Sequence, residues 1–509
     1  MPELFVSIRS HHFVVTRITP RGRPVVDTFS RKMVQYGFSR DMYNKSVYGP
    51  LKVFAAATKD RQEYRFHINM LAEFKIHLKV HNVIDDMVEY EYVAVPEPVT
   101  AEFKIKPHWS DRDYQTPVID YIIDNDPPLA KFVSLATGRG KSYCTMRAME
   151  TLKCRTLIIV KPMYMIKWVE DMERTFENIS QDIVMVSGSK QLMALLSIAE
   201  AGELTSKVIV ISNKTLQNWI KLYEKFREET LDMGYACLPD KLCEILGVGI
   251  RLIDEVHQDF YLNFKISCYT NVMRSISLSA TLLSDDDFMN RMYEVAYPAV
   301  SRYKGQAHRK YISAKAVIYK LKRPDLIRTK DYATGNYSHH LFEQSVLRHS
   351  DTKKNYFGLI NKIVEEGYLK DYKKGQKLII FCISIDMCTE LVKYLKNKHN
   401  KLDIRRYVEE DPYDNVISAD IRVTTLQSAG TAIDIDNLTT TILTIAVSSS
   451  QANIQGLGRL RELKDGSTPQ FWYFVCENIP KHIEYHERKR GMLEDRALNY
   501  KSIFIPDAI

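Results

Sequence analysis

Leu135-Ala136-Thr137-Gly138-Arg139-Gly140-Lys141-Ser142 follows the apolar run Phe132-Val133-Ser134-Leu135 and precedes Tyr143 to Met149, which can continue as a helix. Strand, glycine turn and helix in that order form a phosphate-binding loop. Glycines let backbone N–H groups close around phosphate oxygens, a lysine adds positive charge, and a serine hydroxyl can ligate Mg²⁺. A bulky residue at Gly138 or Gly140 would block that approach. The general pattern has a further glycine five positions before Gly140, where this chain has Leu135. Gly-Arg-Gly-Lys-Ser alone also describes a polar surface turn, so its meaning depends on the rest of the chain.

Outward from this loop the chain alternates strands and helices. Thr156-Leu157-Ile158-Ile159-Val160 is a buried-type strand ended by Pro162, and Met165, Trp168, Met172 and Phe176 recur at helical spacing. Val208 to Ile211 leads into Ser212-Asn213-Lys214-Thr215, Ile250 to Ile253 into Asp254-Glu255-Val256-His257, and Ser275 to Leu278 into Ser279-Ala280-Thr281. The pattern predicts an open, mainly parallel sheet covered by helices, with each polar cluster at a strand's carboxyl end, where such sheets collect ligands. A second unit of the same kind is read from Lys377 to Phe381, the amphipathic Met387 to Lys396, Ile421 to Thr425 and Thr440 to Val447. Residues 298 to 372, rich in Lys, Arg, Tyr and His, are expected to hold the interdomain connection and an insertion.

Residues 1 to 100 read as a small α+β accessory module. Phe5 to Arg9, Phe13 to Ile18, Arg65 to Ile68 and Val88 to Val93 are strand-like, Met70 to Phe74 is helical, and Pro20-Arg21-Gly22-Arg23-Pro24 is a turn. Arg17, Arg21, Arg23, Arg31, Lys32, Arg40 and Lys45 interleave with Tyr36, Phe38 and Tyr43. That mixture suits a nucleic-acid surface and equally suits a solvated face over core aromatics. Val95-Pro96-Glu97-Pro98 is the expected linker. The expected domains are therefore 1–100, 101–300 and 301–509.

The 509 residues give room for about three domains. Apolar content of 45% and charged content of 26% exclude a disordered or fibrous chain. No apolar run is long enough to span a membrane and the N-terminus lacks the order of a signal peptide, so a cytoplasmic protein is expected, in the host cytoplasm if viral. The eight cysteines are scattered and read as reduced core thiols. A net charge of +8 permits binding to a polyanion.

Asp254-Glu255 complements the phosphate loop chemically, since one carboxylate can hold Mg²⁺ through its water shell while the other polarises the attacking water. The spacing of loop, carboxylates and Ser279-Ala280-Thr281 resembles the superfamily 2 helicases and translocases, the DExH group in particular, over residues 110 to 480. Gln115 matches the adenine-contacting glutamine, in the tetrapeptide Arg112-Asp113-Tyr114-Gln115 whose aromatic ring and amide can meet a purine. Thr137 to Ser142 matches motif I, and Val160-Lys161-Pro162 with Trp168 is similar to motif Ia. Asp254 to His257 matches motif II and Ser279 to Thr281 motif III. Ile379 to Phe381 resembles motif IV, Gln427 through Gly430 to Asp434 motif V, and Gln455-Gly456-Leu457-Gly458-Arg459-Leu460-Arg461 motif VI.

The resemblance implies two tandem RecA-like parallel-sheet lobes behind the small N-terminal α+β domain, with ATP between the lobes and nucleic acid across both. It implies that Thr137, Gly138, Arg139, Gly140, Lys141 and Ser142 hold phosphate, that Ser142 and Asp254 hold Mg²⁺, and that Glu255 activates water. His257 and Gln455 would link the nucleotide to the opposite lobe, Ser279 and Thr281 would couple hydrolysis to movement, and Gly430 and Asp434 would approach the nucleotide, Asp434 at the ribose. Motif VI departs from the family, which places its arginines three positions apart, whereas Arg459 and Arg461 are two apart. In a helix these would diverge by about 200°. Arg459 keeps the register with Gln455 and is the expected finger.

Compact size and the basic N-terminal module are most similar to phage helicases that migrate branched DNA. The expected partners are branched or forked DNA and replication or recombination proteins, with no membrane, and the chain is expected to act as a monomer. Two alternatives stay open: an RNA helicase or motor subunit of a restriction or transcript-release complex, and an ATP-gated clamp without processive movement.

Overall fold

The computed structural model describes residues 2–509 except 41–45, 136–138, 280–281, 283, 285, 304, 306–309, 332–334, 409–410, 413, 430–434, 448–452, 454–455, 458 and 464. The chain divides into two compact units, residues 1–305 and 306–509 apart from short exchanges at 136–138 and 283–285.

The first unit opens with strands β1 (Leu4–Ile8) and β2 (His12–Thr16), then β3 (Val34–Arg40), β4 (Ser46–Val53), β5 (Ala56–Ala57), β6 (Tyr64–His67) and β7 (Val88–Tyr92). Five of these make a mixed sheet in the order β5-β6-β2-β1-β7, while β3 and β4 form a ribbon of their own. The mixed sheet is closed by the helices Gly22–Arg31 and Leu71–Val80, whose Phe29 and Phe74 meet Phe13 and Phe66. The turn expected over Pro20 to Pro24 is shorter than that. The helix starts at Gly22 and takes Pro24 into its first turn, where the missing N–H has no intrahelical partner to lose.

Strands β8 (Ala130–Ser134), β9 (Thr156–Val160), β10 (Ile183–Val186), β11 (Val208–Ser212), β12 (Ile250–Ile253) and β13 (Arg274–Ser279) build a fully parallel sheet in the order β10-β11-β9-β12-β13-β8. β9, β11, β12 and β13 are buried at every position, as strands covered on both faces must be. The mixed sheet and the parallel sheet share one hydrophobic core. Polar contacts lock them further. Arg65, 2% exposed, pairs with Glu63 at 2.6 Å and Asp240 at 3.8 Å and lies over the Tyr269 ring at 4.5 Å. Its charge is thus neutralised inside the interface, where an unpaired guanidinium would be costly.

The second unit is a seven-stranded parallel sheet of β14 (Ser313–Tyr319), β15 (Lys377–Cys382), β16 (Ile404–Tyr407), β17 (Ile421–Thr425), β18 (Leu438–Leu443), β19 (Gln470–Cys476) and β20 (Asn499–Phe504). Its order is β16-β17-β15-β18-β19-β14-β20. The expectation of an insertion over residues 298 to 372 is corrected here. β14 lies inside the sheet between β19 and β20, and Phe342, Tyr356, Phe357 and Ile360 of the helices His339–Arg348 and Ser350–Val364 are core residues. Both units are therefore α/β with parallel sheets, two tandem RecA-like lobes with a small mixed sheet joined to the first. No described helix is long and apolar enough to cross a membrane.

Candidate active site

The carboxyl ends of β8, β12 and β13 bring Gly140-Lys141-Ser142, Asp254-Glu255-Val256-His257 and Ser279 together. Gly140 has φ +78° and caps the helix Lys141–Leu152, a left-handed conformation that side chains rarely adopt. A Cβ at Gly140 would collide with Gln115 Nε2. The Gln115 amide, buried, donates to the Arg139 carbonyl at 3.3 Å and accepts from the Arg112 N–H at 3.0 Å. The Arg139 guanidinium lies 4.9 Å over the Tyr114 ring, and Arg112 Nη1 donates to the Tyr114 hydroxyl at 2.9 Å. The loop and Arg112-Asp113-Tyr114-Gln115 thus form one closed arrangement, in which both ends of the glutamine amide are engaged by the chain itself.

Lys141 is 9% exposed and its Nζ stands 3.5 Å from Glu255 Oε1. Glu255 Oε2 is 3.3 Å from His257 Nδ1, and that nitrogen is 2.6 Å from Ser279 Oγ. Asp254 accepts from Trp168 Nε1 at 2.9 Å and from the Glu255 backbone N–H at 2.8 Å. Burial, and next the charge of Glu255, push the Asp254 carboxyl up to about 6. Burial lowers His257 to about 4, so the imidazole is neutral at neutral pH. Glu255 adopts φ +46°, a conformation costing about 1–3 kcal/mol that side chains keep only when their surroundings demand it.

These residues fit a magnesium nucleotide. A glycine without room for a side chain starts a twelve-residue helix whose first N–H groups can face phosphate. Beside it lie a buried ammonium, the half-buried Ser142 hydroxyl and the two half-buried carboxylates of Asp254 and Glu255. Ser142 and Asp254 would hold the metal, which supplies charge neutralisation on phosphate oxygens.

Asp259 was not legible as a site residue, nor were the contacts that Lys161, Trp168 and Asn213 make. Asp259, with φ +55°, collects Lys161 from the end of β9 at 3.4 Å and Asn213 from the end of β11 at 3.3 Å. Trp168 reaches Asp254 across 86 positions of sequence. A polar residue just past each strand end was the available signal for Lys161 and Asn213.

In the second unit Arg459 is buried and Arg461 half-buried. Arg459 sits in a turn closed by the Leu460 N–H on the Leu457 carbonyl at 3.2 Å, and the Tyr311 hydroxyl donates to the Leu460 carbonyl at 3.0 Å. Backbone from Arg459 to Arg461 is not helical, so the helical angle between the two arginines does not apply. Thr137, Gly138, Thr281, Gly430, Asp434 and Gln455 lie outside the described residues.

Residues 108–284 match the family described as type III restriction enzyme, res subunit. The matched span runs from the segment before Arg112 to just beyond Ser279 and so contains the whole cluster of the first unit. No curated protein is significantly similar to the chain. Similar solved structures include S. cerevisiae Dbp5 bound to RNA and ADP BeF3, 12% identical with a TM-score of 0.48, covering 78% of this chain and 90% of that one. A variant of S. cerevisiae Dbp5 in the same bound form is 12% identical with a TM-score of 0.48, covering 77% and 89%.

Proposed function

We propose that the chain is an ATP-dependent DNA helicase or translocase that acts on branched DNA, remodelling forks and migrating branches during recombination and repair. The observation that carries this reading is the relay Lys141, Glu255, His257 and Ser279 at the carboxyl edge of the first parallel sheet. Lys141 and the loop N–H groups bind the terminal phosphates, and Glu255 orients and deprotonates the attacking water. Neutral His257 transmits the state of Glu255 to Ser279. Because Ser279 ends β13 and leads into the next helix, a change at the phosphate is passed to the polypeptide instead of being lost to solvent. Arg459 supplies charge to the transition state. The N-terminal module, fixed to the first parallel sheet, adds a DNA-binding surface.

A second reading, the motor subunit of a restriction complex, is supported by the family resemblance over residues 108–284. Strand displacement separates the two. Purified chain with ATP should unwind a forked duplex and convert four-way junctions without any added subunit. Failure on both, together with turnover on linear duplex, would favour the restriction motor and sink the branch-directed reading.

A further inference from the structure

Strands β3 and β4 form a ribbon outside the three larger sheets. Isolated two-stranded ribbons are marginal in water, yet this one carries large rings in solvent. Phe38 is 72% exposed, Tyr48 62% and Tyr36 48%. Phe38 and Tyr48 are directly opposite in register and their rings meet edge to face at 5.1 Å, while Tyr36 stacks on Tyr48 at 6.3 Å and 18°. The three rings therefore make one row on one face. On the other face Gly37 stands opposite Gly49, and the Leu51 side chain lies over Gly37.

The root of the ribbon is held firmly. Gln35 Nε2 donates to Asp286 Oδ2 at 2.5 Å, and Phe54, fully buried just after β4, meets Phe264 edge to face at 5.1 Å. Asp286 in turn caps the helix Asp287–Ala296 by accepting the Met289 N–H. A rigid root under a displayed row of rings is preorganised for something flat.

We propose that the aromatic face of this ribbon is a stacking platform for unpaired bases of single-stranded DNA. The proposal rests on the reading of the chain as a DNA motor. Charge favours a polyanion, since the sequences of β3 and β4 hold Arg40 and Lys52 and no carboxylate. Area disfavours a protein. Seven residues of strand at about 3.4 Å rise and two strands of width give a face on the order of 250 Å², against about 800 Å² per partner in a stable protein interface. Paired bases hide their faces in the duplex, so the rings select unpaired strands.

The test uses the full chain without nucleotide and fluorescent dT20, rU20 and a 20-bp blunt duplex, with Phe38→Ala, Tyr48→Ala and Phe38→Leu. The leucine variant keeps an apolar side chain in the strand but removes the flat ring. Each variant should weaken dT20 binding about 5- to 150-fold, with duplex affinity changed less than twofold and thermal unfolding unaltered. Phe38→Tyr should restore dT20 binding. Unchanged dT20 affinity in all three variants, with wild type binding normally, would overturn the platform and leave the motor reading standing. An effect confined to rU20, or a dimer that dissociates on Phe38→Leu, would overturn it in favour of RNA or of a second copy. Wild type that binds no nucleic acid in any arm would overturn the motor reading as well.

Discussion

Lys141 and His257 are buried, Glu255 between them is half-buried, and the three answer one another's charges and hydrogen bonds, whereas Tyr36, Phe38 and Tyr48 stand in solvent with ring contacts to each other. Both groups belong to one compact unit and share a core. The difference teaches what each surface is ready to meet. A site for a small, highly charged ligand must hold its charges in fixed geometry at low dielectric, and it does so by pairing them internally. A surface for a long polymer can leave flat apolar rings uncovered, because the polymer covers them and backbone charge supplies the attraction. Chemistry and grip should therefore fail separately.

The largest effect expected is on chemistry. Arg459→Ala should lower DNA-stimulated turnover by about 10³ to 10⁵, the usual contribution of an arginine at a transferring phosphate. Arg461→Ala should be milder, and ATP binding should survive both. A single-turnover assay in which Arg461 proves indispensable and Arg459 dispensable would reverse the assignment.

Next, Glu255→Gln should cut turnover about 10²- to 10⁴-fold, the range for a lost general base. ATP should still bind, and dT20 affinity should stay within twofold of wild type. Lys141→Ala should lose nucleotide affinity as well. Equal loss of ATP affinity in the two variants would contradict the separate roles given to Lys141 and Glu255.

Gly140→Ala tests the loop itself. The left-handed backbone costs an L-residue roughly 1–2 kcal/mol, and the added methyl meets Gln115 Nε2. Denaturant melts should show that loss, and ATP binding should fall with it. Gln115→Ala in the same chain should relieve the collision and leave the backbone cost, so full recovery in the double variant would show that φ at Gly140 carries no strain.

The smallest effect is a pH dependence. Asp254 is raised to about 6 by burial first and by Glu255 second, so the folded state holds its proton more tightly than the unfolded state. Its contribution to stability is present below the unfolded value near 3.8 and is lost as pH rises through about 6. Magnesium nucleotide needs the ionised carboxylate, so ATP affinity should move the opposite way and fall below about pH 6. In Asp254→Asn both slopes should flatten. Identical pH profiles in the variant and wild type would assign the titration elsewhere.

Much of this was legible in the sequence, for physical reasons. Thr156–Val160 is an uninterrupted apolar or β-branched run, and Ile250–Ile253 and Ile421–Thr425 are such runs broken only by Arg251 and Arg422, so their limits follow from composition. Gly140-Lys141-Ser142 and Asp254-Glu255 are each local in sequence, so their place at strand ends could be read directly. The ribbon could not be seen as strands, because Gly37, Gly49 and Pro50 weaken β propensity and neither face is buried. β14 begins Ser-Ala-Lys, and the helices beside it mix lysines with the buried Tyr356, which reads as an insertion until the sheet places it. Contacts such as Trp168 with Asp254 and Lys161 with Asp259 depend on strand order, which no local pattern specifies.

ATP turnover by the purified chain, measured alone and with single-stranded DNA, a fork, a four-way junction and RNA at equal nucleotide concentration, tests the central claim most directly. Turnover should be low alone, strongly stimulated by DNA with the greatest effect from the fork or junction, and no longer stimulated in Glu255→Gln. Stimulation by RNA alone, or turnover that DNA leaves unchanged, would contradict that claim.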